Sequence, residues 1–375
     1  MSAHAPERAV ARVDLGAIER NCAHLRSLLE GAELCAVVKA DGYGHGDVWC
    51  ARAALRGGAT WLAVATAAEA VELRRHGIAE RILVQGALTH EDERTALEAG
   101  ADVVAWREGF ARGLAERAAA LGAPARVHVK LDTGMGRLGT SDPAEARAVA
   151  DLVAADPRLE LAGLMTHFAT ADEPGDAYFP LQLERFRAWV EETRATHPHA
   201  LAHAANSAAT LRDRGAHFDL VRCGIAIYGL DPLQRDPAER GLEPALSLES
   251  YVAAIKRFEP GQSAGYGRAW TASEPTLVGV VPIGYGDGFR RALSNVADVL
   301  VRGRRRALRG MVSMDNVTID LGQDDDVEEG DPVVLIGAQG EERILCEEVA
   351  RRMQTINYEV TCGLTPRVRR AHSAP

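Results

Sequence analysis

Short apolar runs alternate with amphipathic stretches through the first two thirds of the chain. The runs carry few polar residues, as expected of parallel strands that are buried on both faces. The stretches between them space their apolar residues as helices do. Eight strands are predicted, at residues 35–38, 61–65, 82–85, 103–106, 127–131, 161–167, 201–204 and 220–225. Helices are predicted between them, among others at residues 67–76, 107–121, 143–155 and 179–195.

This alternation predicts an α/β fold, and the count of eight strands favours a (β/α)8 TIM-type barrel over an open doubly wound sheet. No GxGxxG motif opens a helix, which argues against a dinucleotide-binding fold. Near residues 241–244 the pattern changes to β-like segments at 247–256, 277–281, 299–302, 317–321 and 333–336, with one clear helix at 346–352. We therefore predict a barrel domain at 1–240 and a mostly β domain at 241–375, with which the N-terminal strand 8–14 pairs.

Composition narrows the classes of partner. The 375 residues are 47% hydrophobic and 26% charged, with a net charge of −10. This charge disfavours nucleic acid and anionic membranes as partners. The six cysteines form no CxxC pair and no metal-ligand spacing, so no metal site is expected. Neither a secretory core nor a run long enough to span a membrane is present, and a cytoplasmic location is expected.

Lys39 is the most informative polar residue, because it closes the first predicted strand. Three glycines follow it within a five-residue stretch, at positions 42, 44 and 46. An ammonium group is costly to desolvate without a partner. Such an amine can instead form a Schiff base with a carbonyl cofactor. The alternative is a lysine whose stem packs while its amine reaches water.

Other polar residues also fall where predicted strands end, and barrel enzymes gather their chemistry at that face. They are Lys130, Asp132, Arg137, His167, Asn206, Ser207 and Arg222. His167 has the alternative of a hydrogen-bonded barrel histidine, and Arg222 that of a partner of Asp219. Ser207, Gly224 and Ile225 follow strands seven and eight, where barrels often bind phosphate through backbone N–H groups. Phosphate beside a Schiff-base lysine suggests pyridoxal 5'-phosphate, with the reaction undefined.

Residues 36–46, AVVKADGYGHG, resemble the cofactor-attachment segment of bacterial alanine racemases. Six more segments resemble this family in the same order along the chain, at 130–139, 222–229, 265–267, 283–288, 311–315 and 357–359. The family fold is a (β/α)8 barrel with a C-terminal β domain. The resemblance implies an isomerase that interconverts L-alanine and D-alanine with pyridoxal 5'-phosphate and supplies D-alanine for bacterial peptidoglycan.

The resemblance also implies roles for individual residues. Lys39 would hold the cofactor and act as one base, and Tyr266 of the partner subunit in a homodimer would act as the other. Arg222 would face the pyridine nitrogen, with His167 between it and that tyrosine. The remaining cofactor ligands would be Tyr43, Asn206, Ser207, Gly224, Ile225 and Tyr358. Arg137 and the backbone of Met314 would bind the substrate carboxylate, Tyr285 would line the entrance, and Lys130 matches a lysine that is carbamylated in some members.

Racemisation needs two bases on opposite faces of the α-carbon. A tyrosine base needs a pKa below its ordinary value of about 10, which a cationic neighbour would favour. Asn316 departs from the family pattern, in which Met or Gln is common at this position. Three alternatives stay open: a racemase of another small amino acid such as serine, a barrel-type pyridoxal-phosphate decarboxylase, and a non-catalytic pyridoxal-phosphate carrier.

Overall fold

A computed structural model describes residues 7–323 and 326–373. The chain divides into two compact units. The barrel unit comprises Ile18–Tyr43 and Asp47–Ile227. The β unit comprises the described residues up to Ala17, the short segment Gly44–Gly46 and the described residues from Tyr228 onwards. The first strand, β1 (Val10–Asp14), belongs to the β unit.

The barrel unit is built on eight parallel strands among the described residues. They are β2 (Glu33–Val37), β3 (Trp61–Val64), β4 (Arg81–Val84), β5 (Asp102–Ala105), β6 (Ala125–Lys130), β7 (Leu159–Met165), β8 (Leu201–His203) and β9 (Leu220–Cys223). The order in the sheet is β8-β7-β6-β5-β4-β3-β2-β9. Two backbone hydrogen bonds link the end strands, Asp219 N–H to Ala202 O at 3.0 Å and Arg222 N–H to Ala205 O at 2.9 Å. The predicted barrel is confirmed.

Helices separate the strands. They are α1 (Leu15–Ser27), the helical turn α2 (Lys39–Gly44), α3 (Asp47–Arg56), α4 (Ala67–Arg75), α5 (His90–Glu98), α6 (Glu108–Leu121), α7 (Pro143–Ala155), α8 (Tyr178–Arg194) and α9 (Ser207–Arg212). Local sequence sets several of their ends: Thr66 and Thr89 form capping boxes with Glu69 and Asp92. Helix α7 begins with a proline directly after its cap residue, Asp142.

In the part of the chain that the structure describes, the β unit contains the remaining strands and two short α-helices. They are β10 (Leu246–Tyr251), β11 (Ala254–Phe258), β12 (Ser263–Ala264), β13 (Trp270–Thr271), β14 (Thr276–Val281), β15 (Asp298–Val301), β16 (Arg304–Arg309), β17 (Val317–Gly322), β18 (Pro332–Gln339), β19 (Glu342–Ile344), α10 (Cys346–Arg352), α11 (Asn357–Cys362) and β20 (Arg369–Ser373). Strand β1 pairs antiparallel with β10 and parallel with β20. The single segment predicted at 247–256 is two strands, and α11 adds a helix that the pattern did not predict.

The apolar runs form the interior of the barrel unit. Every residue of β3 and β5 is buried, as the absence of alternation in parallel strands predicts. The barrel strands end one or two residues earlier than predicted, so Lys39 and His167 each lie two residues beyond their strand. Within the described ranges, no helix has the length and hydropathy needed to cross a membrane.

Candidate active site

Lys39 and Tyr43 are fixed by an unusual backbone turn after β2. Ala40, Asp41, Gly42 and Tyr43 have φ angles of 53°, 54°, 58° and 53°, all in the left-handed helical region. For residues other than glycine this conformation costs about 1–2 kcal/mol each. Strain of this kind persists where surrounding contacts over-determine the backbone, and it is concentrated at functional sites.

The contacts that hold the turn come from the strand before it and from helix α4. The Gly42 N–H donates to Val38 O at 2.9 Å, which closes the turn. The Ala40 N–H donates to the Glu69 carboxylate at 2.7 Å. The same carboxylate accepts the N–H groups of Ala65 and Thr66 at 2.8 and 3.0 Å. Glu69 therefore ties the turn that carries Lys39 to the end of β3.

The turn brings Tyr43 against the backbone after β9. A Cβ atom on Gly224 would lie 2.3 Å from the Tyr43 hydroxyl oxygen, so only glycine leaves room for the ring. The Ser207 hydroxyl accepts the N–H groups of Gly224 and Ala226 at 3.0 and 3.3 Å and keeps a proton to donate. Asn206 caps α9 by accepting the Ala209 N–H at 3.0 Å. The segments that follow β8 and β9 therefore form a narrow polar pocket beside Tyr43, which we call the cradle.

Arg222 lies on β9 with only 2% of its surface exposed. Its Nη2 donates to Thr166 O at 2.8 Å and to Ala204 O at 3.1 Å, and its Nη1 donates to His203 Nδ1 at 2.8 Å. Burial lowers the pKa of Arg222 to about 10, so the guanidinium stays charged at neutral pH. Its Nε is buried and has no hydrogen-bond partner among the described residues.

The alternative pairing of Arg222 with Asp219 is wrong. Asp219 forms an ion pair with Arg194 and accepts the Ala202 N–H at 2.7 Å. Within the described ranges, no carboxylate lies within 4 Å of the Arg222 guanidinium nitrogens. The buried Nε–H of Arg222, which has no partner among the described residues, is therefore a donor that suits an acceptor from outside the chain.

His167 marks the point on which the basic residues converge. Its Nδ1 lies 3.3 Å from Nη2 of Arg222, and it accepts because a guanidinium only donates. Burial lowers the pKa of His167 well below its ordinary value, and the charges of Arg222, Lys130, Arg137 and Lys39 lower it further. The ring is therefore neutral at neutral pH, and the four predicted cationic residues lie within electrostatic reach of it.

Lys130, at the end of β6, is 5% exposed. Burial, and then the charges of Arg222 and Arg137, lower the pKa of Lys130 to about 8. The loop that carries Arg137 is organised by Asp132, whose carboxylate accepts the N–H groups of Gly134, Met135 and Gly136 at 3.0, 2.7 and 2.9 Å. A buried amine that is partly neutral near pH 8 therefore lies beside a pre-formed arginine loop.

Four predicted site residues lie in the β unit. Tyr266 opens a 3-10 turn after Gly265 and is 71% exposed, and Tyr285 and Met314 are 40% and 52% exposed. The loops of Tyr285 and Met314 are joined by backbone bonds, Tyr285 N–H to Ser313 O at 3.0 Å and Gly286 N–H to Met314 O at 2.9 Å. Asn316 closes the second loop by accepting the Ser313 N–H at 3.0 Å.

Tyr358, the fourth of these, is held through its neighbour Asn357. The buried Asn357 side chain donates to Glu347 and to Asp231 O, both at 2.9 Å. Its own N–H donates to Gln234 at 2.9 Å. The start of α11, and with it Tyr358, is thus anchored in the core of the β unit.

Sequence reasoning missed a set of polar residues inside the barrel unit: Asp102, His128 and His203. The signal was present in β6, which reads Arg126, Val127, His128, Val129, Lys130. The later part of β6 is buried on both faces, so His128 and Lys130, which alternate with valine there, have no solvent to face. Such residues need partners inside the protein, and these three have them.

The barrel site fits a phosphorylated heteroaromatic cofactor. The unpartnered Nε–H of Arg222 suits a ring nitrogen that accepts a hydrogen bond. The cradle at Gly224, which a Cβ would fill, and the donor hydroxyl of Ser207 suit a phosphate group. Lys39 follows β2 at the same strand ends. The donor set of these residues matches pyridoxal 5'-phosphate.

A closed parallel barrel with this lysine, arginine and cradle defines the chain as a barrel enzyme. The N-terminal domain of alanine racemase matches residues 13–232, and the C-terminal domain of alanine racemase matches residues 245–372. The chain therefore belongs to the alanine racemase family. The fold and the family predicted from the sequence are both confirmed.

Individual relatives cover nearly the whole chain. The chain is 43% identical to the alanine racemase of Symbiobacterium thermophilum over 361 residues, 96% of each chain. It is 42% identical to that of Geobacillus stearothermophilus, over 96% of this chain and 92% of the relative. The crystal structure of alanine racemase from Streptomyces lavendulae superposes with a TM-score of 0.93 at 37% identity, covering 99% and 98% of the two chains.

Proposed function

We propose that the protein interconverts L-alanine and D-alanine with pyridoxal 5'-phosphate held at Lys39. The observation that carries the proposal is the buried Arg222, whose Nε–H has no partner among the described residues. Arg222 lies on β9, next to β2, the strand that Lys39 follows. Family membership supports the same activity. When bound, the cofactor delocalises the electron pair that remains after the α-proton leaves.

The residues of this chain then divide the proton transfers between two faces. The Lys39 amine would take or return the α-proton on one face. Tyr266 of the partner subunit would serve the other face, within a homodimer that shares residues between its two sites. The resemblance to the family supports this arrangement, and Tyr266, 71% exposed in a single chain, is accessible to a partner subunit.

Arg222 would limit the reaction to racemisation. A permanently charged donor against the ring nitrogen leaves that nitrogen an unprotonated acceptor. Arg222 would thereby weaken electron withdrawal by the cofactor ring, which would disfavour protonation at the wrong carbon. Tyr43, Asn206, Ser207, Gly224, Ile225 and Tyr358 would complete the cofactor site.

Arg137, the Met314 backbone and Tyr285 would receive the amino acid, with Arg137 bound to its carboxylate. A small side chain is proposed, because the resemblance to the family implies that Tyr285 lines the entrance and that Tyr358 contacts the cofactor. The D-alanine that is formed would be used for peptidoglycan.

We propose that the protein works in the cytoplasm. The six cysteines support a reducing compartment, because all six lie in the described ranges as free thiols.

A coupled assay tests the proposed function. Purified protein is incubated with L-alanine, with and without pyridoxal 5'-phosphate, and D-alanine is measured with a D-amino-acid-specific enzyme. We expect cofactor-dependent formation of D-alanine and much slower conversion of L-serine. Faster conversion of serine would favour the alternative racemase. Release of carbon dioxide from a basic amino acid, without racemisation, would favour the decarboxylase and refute the proposal.

Replacement of Gly224 by alanine is expected to weaken cofactor binding by about a hundredfold, because the new Cβ would lie 2.3 Å from the Tyr43 hydroxyl and close the cradle. The affinity of the cofactor-free protein for pyridoxal 5'-phosphate measures this. Gly109→Ala is the matched control, since Gly109 lies in α6 with nothing within 4 Å of its added Cβ. Equal affinities for the two variants would contradict the placement of the cradle.

We further propose that Lys130 carries a carbamate. The neutral amine adds carbon dioxide to form an N–C bond and releases one proton to solvent. A pKa of about 8 makes a useful share of the amine neutral near neutral pH. The resulting anion would pair with Arg137 and relieve the crowding of positive charge around His167.

The chain makes this modification simple to detect, because it has three lysines, Lys39, Lys130 and Lys256. We expect protein equilibrated with 13C-bicarbonate to give a carbamate signal that Lys130→Arg removes. Lys256→Arg is the control, since Lys256 is exposed on β11 and should not affect the signal. We also expect Lys130→Arg to raise the KM for alanine about tenfold, in line with the loss of one charge-assisted contact. A signal that persists in Lys130→Arg would exclude this assignment.

A further inference from the structure

A chain of four buried polar side chains links strands β9, β8, β6 and β5. Arg222 Nη1 lies 2.8 Å from His203 Nδ1, and His203 Nε2 lies 2.8 Å from His128 Nδ1. His128 Nε2 then lies 3.0 Å from the Asp102 carboxylate. Arg222 is 2% exposed and the other three are fully buried. Because no water replaces a mismatched bond in such a core, every donor has to meet an acceptor.

Arg222 and Asp102, at the two ends, determine which atom donates in every hydrogen bond of this side-chain network. A guanidinium only donates, so His203 Nδ1 accepts and the hydrogen of that ring is on Nε2. His203 Nε2 then donates to His128 Nδ1, and the hydrogen of His128 is on its Nε2. An ionised carboxylate only accepts, which completes the chain at Asp102. Both histidines are thus neutral and fixed in the Nε2–H tautomer.

The electrostatics of the chain agree with these protonation states. Burial lowers the pKa of His203 well below its ordinary value, and the charge of Arg222 lowers it further. Burial opposes the ionised Asp102, but the hydrogen bonds from His128 and Arg126 and the charge of Arg81 outweigh it and lower the pKa of Asp102. Asp102 is therefore an anion, and Arg222 a cation, at opposite ends of a neutral bridge.

The Asp102 end is anchored independently of the site. The Asp102 carboxylate accepts from Arg126 Nε at 2.6 Å and also from Arg81. The Arg81 and Arg126 side chains are 36% and 33% exposed, so water still reaches them. Arg81 stacks on Trp61 with its guanidinium 3.9 Å from the ring centre. The far end of the chain is therefore a rigid and partly hydrated anchor.

We propose that Asp102, His128 and His203 are positioning residues that hold the Arg222 guanidinium so that its Nε–H faces the cofactor's ring nitrogen. His203 accepts the hydrogen bond from Nη1, while the carbonyl groups of Thr166 and Ala204 accept from Nη2. The free edge of the guanidinium is then the Nε–H edge. The inference rests on the proposed function for the identity of the cofactor.

A comparison of two cofactors separates this role from a purely structural one. The probes are pyridoxal 5'-phosphate and its analogue with carbon in place of the ring nitrogen, which gives Arg222 no acceptor. We expect Asp102→Asn to weaken binding of pyridoxal 5'-phosphate to the cofactor-free protein about tenfold, as loss of an outer hydrogen-bond partner typically does. Binding of the analogue should change by less than about twofold, because it lacks the contact that the chain orients.

Glu93→Gln is the matched control. Glu93 is a buried carboxylate of the same unit, 2% exposed and 3.0 Å from Arg117 Nη1, with no link to Arg222. We expect it to alter stability and to leave both affinities unchanged. If Asp102→Asn weakens both probes equally, or neither, the positioning role is overturned.

Two further measurements keep the test decisive if Asp102→Asn folds poorly. Gly163→Ala keeps the charge of Asp102 but places a Cβ 2.3 Å from His128 Nδ1, which should displace the ring and give the same selective loss. In wild-type protein without cofactor, 15N spectra of labelled histidine should show His128 and His203 neutral with hydrogen on Nε2. The opposite tautomer, or a charged ring, in either histidine would contradict the proposed direction of the hydrogen bonds from Arg222 to Asp102.

These outcomes are distinguishable from failure of the proposed function. Wild-type protein that binds neither probe would count against pyridoxal 5'-phosphate as the cofactor. The histidine tautomers are measured without any cofactor, so they still show whether the hydrogen bonds run from Arg222 through the two histidines to Asp102.

Discussion

Replacement of Lys39 by alanine is expected to abolish racemisation, lowering kcat/KM by at least about 10⁴-fold. General-base catalysis alone contributes about 10²–10⁴-fold, and Lys39 would also supply the covalent attachment of the cofactor. The two losses fall on one step, so they are not expected to add simply. The measurement is the rate of D-alanine formation at saturating pyridoxal 5'-phosphate.

The attachment is checked separately from the rate. Reduction of the loaded protein with borohydride should leave one stable cofactor adduct, on the peptide that contains Lys39. Of the chain's three lysines, Lys256 is the exposed control, and Lys256→Ala should retain the adduct and the rate. An adduct on Lys130, or more than about 1% of the activity in Lys39→Ala, would show that another amine holds the cofactor.

The conformation around Lys39 shows where sequence reasoning stops. An apolar run predicted a strand, which is present as β2, and the three closely spaced glycines after it lie in and directly after the helical turn α2. Only Gly42 signalled a positive φ, whereas Ala40, Asp41 and Tyr43 adopt it as well. Their conformation depends on Glu69, which reaches back from α4. A contact between residues 29 apart leaves no local pattern to read.

The strand ends were more predictable than the network between strands. Buried parallel strands produce uninterrupted apolar runs, so the positions of Lys39, His167 and Arg222 followed from the runs to within about two residues. The pairing of His128 with His203 depends on the order of strands in the sheet and on the direction of each side chain. The alternation in β6 indicated that His128 faces the interior, but it did not identify the partner.

Replacement of Tyr266 by phenylalanine is expected to lower kcat/KM for racemisation by about 10²–10⁴-fold, the usual contribution of one general acid–base residue. L-alanine and D-alanine have equal free energies in water, so kcat/KM must fall equally in the two directions. The loss should instead separate two processes. One enantiomer should still exchange its α-hydrogen for deuterium through Lys39, without inversion, while the other exchanges slowly.

Exchange measured by proton NMR in deuterium oxide tests this separation. Tyr251→Phe is the control, since Tyr251 is a half-buried tyrosine of β10 with no proposed part in the site. Equal loss of exchange for both enantiomers in Tyr266→Phe would contradict the assignment of Tyr266 as one of two bases.

Mixing two inactive variants tests whether Tyr266 acts across the subunit interface. In a heterodimer of Lys39→Ala and Tyr266→Phe chains, a shared site would combine Lys39 of one chain with Tyr266 of the other. One of the two sites would then be intact. Random pairing of equal amounts makes half of the dimers mixed, so about one quarter of wild-type activity should return. If each chain supplied both residues to its own site, no mixed dimer would contain an intact site, and co-expression would restore nothing.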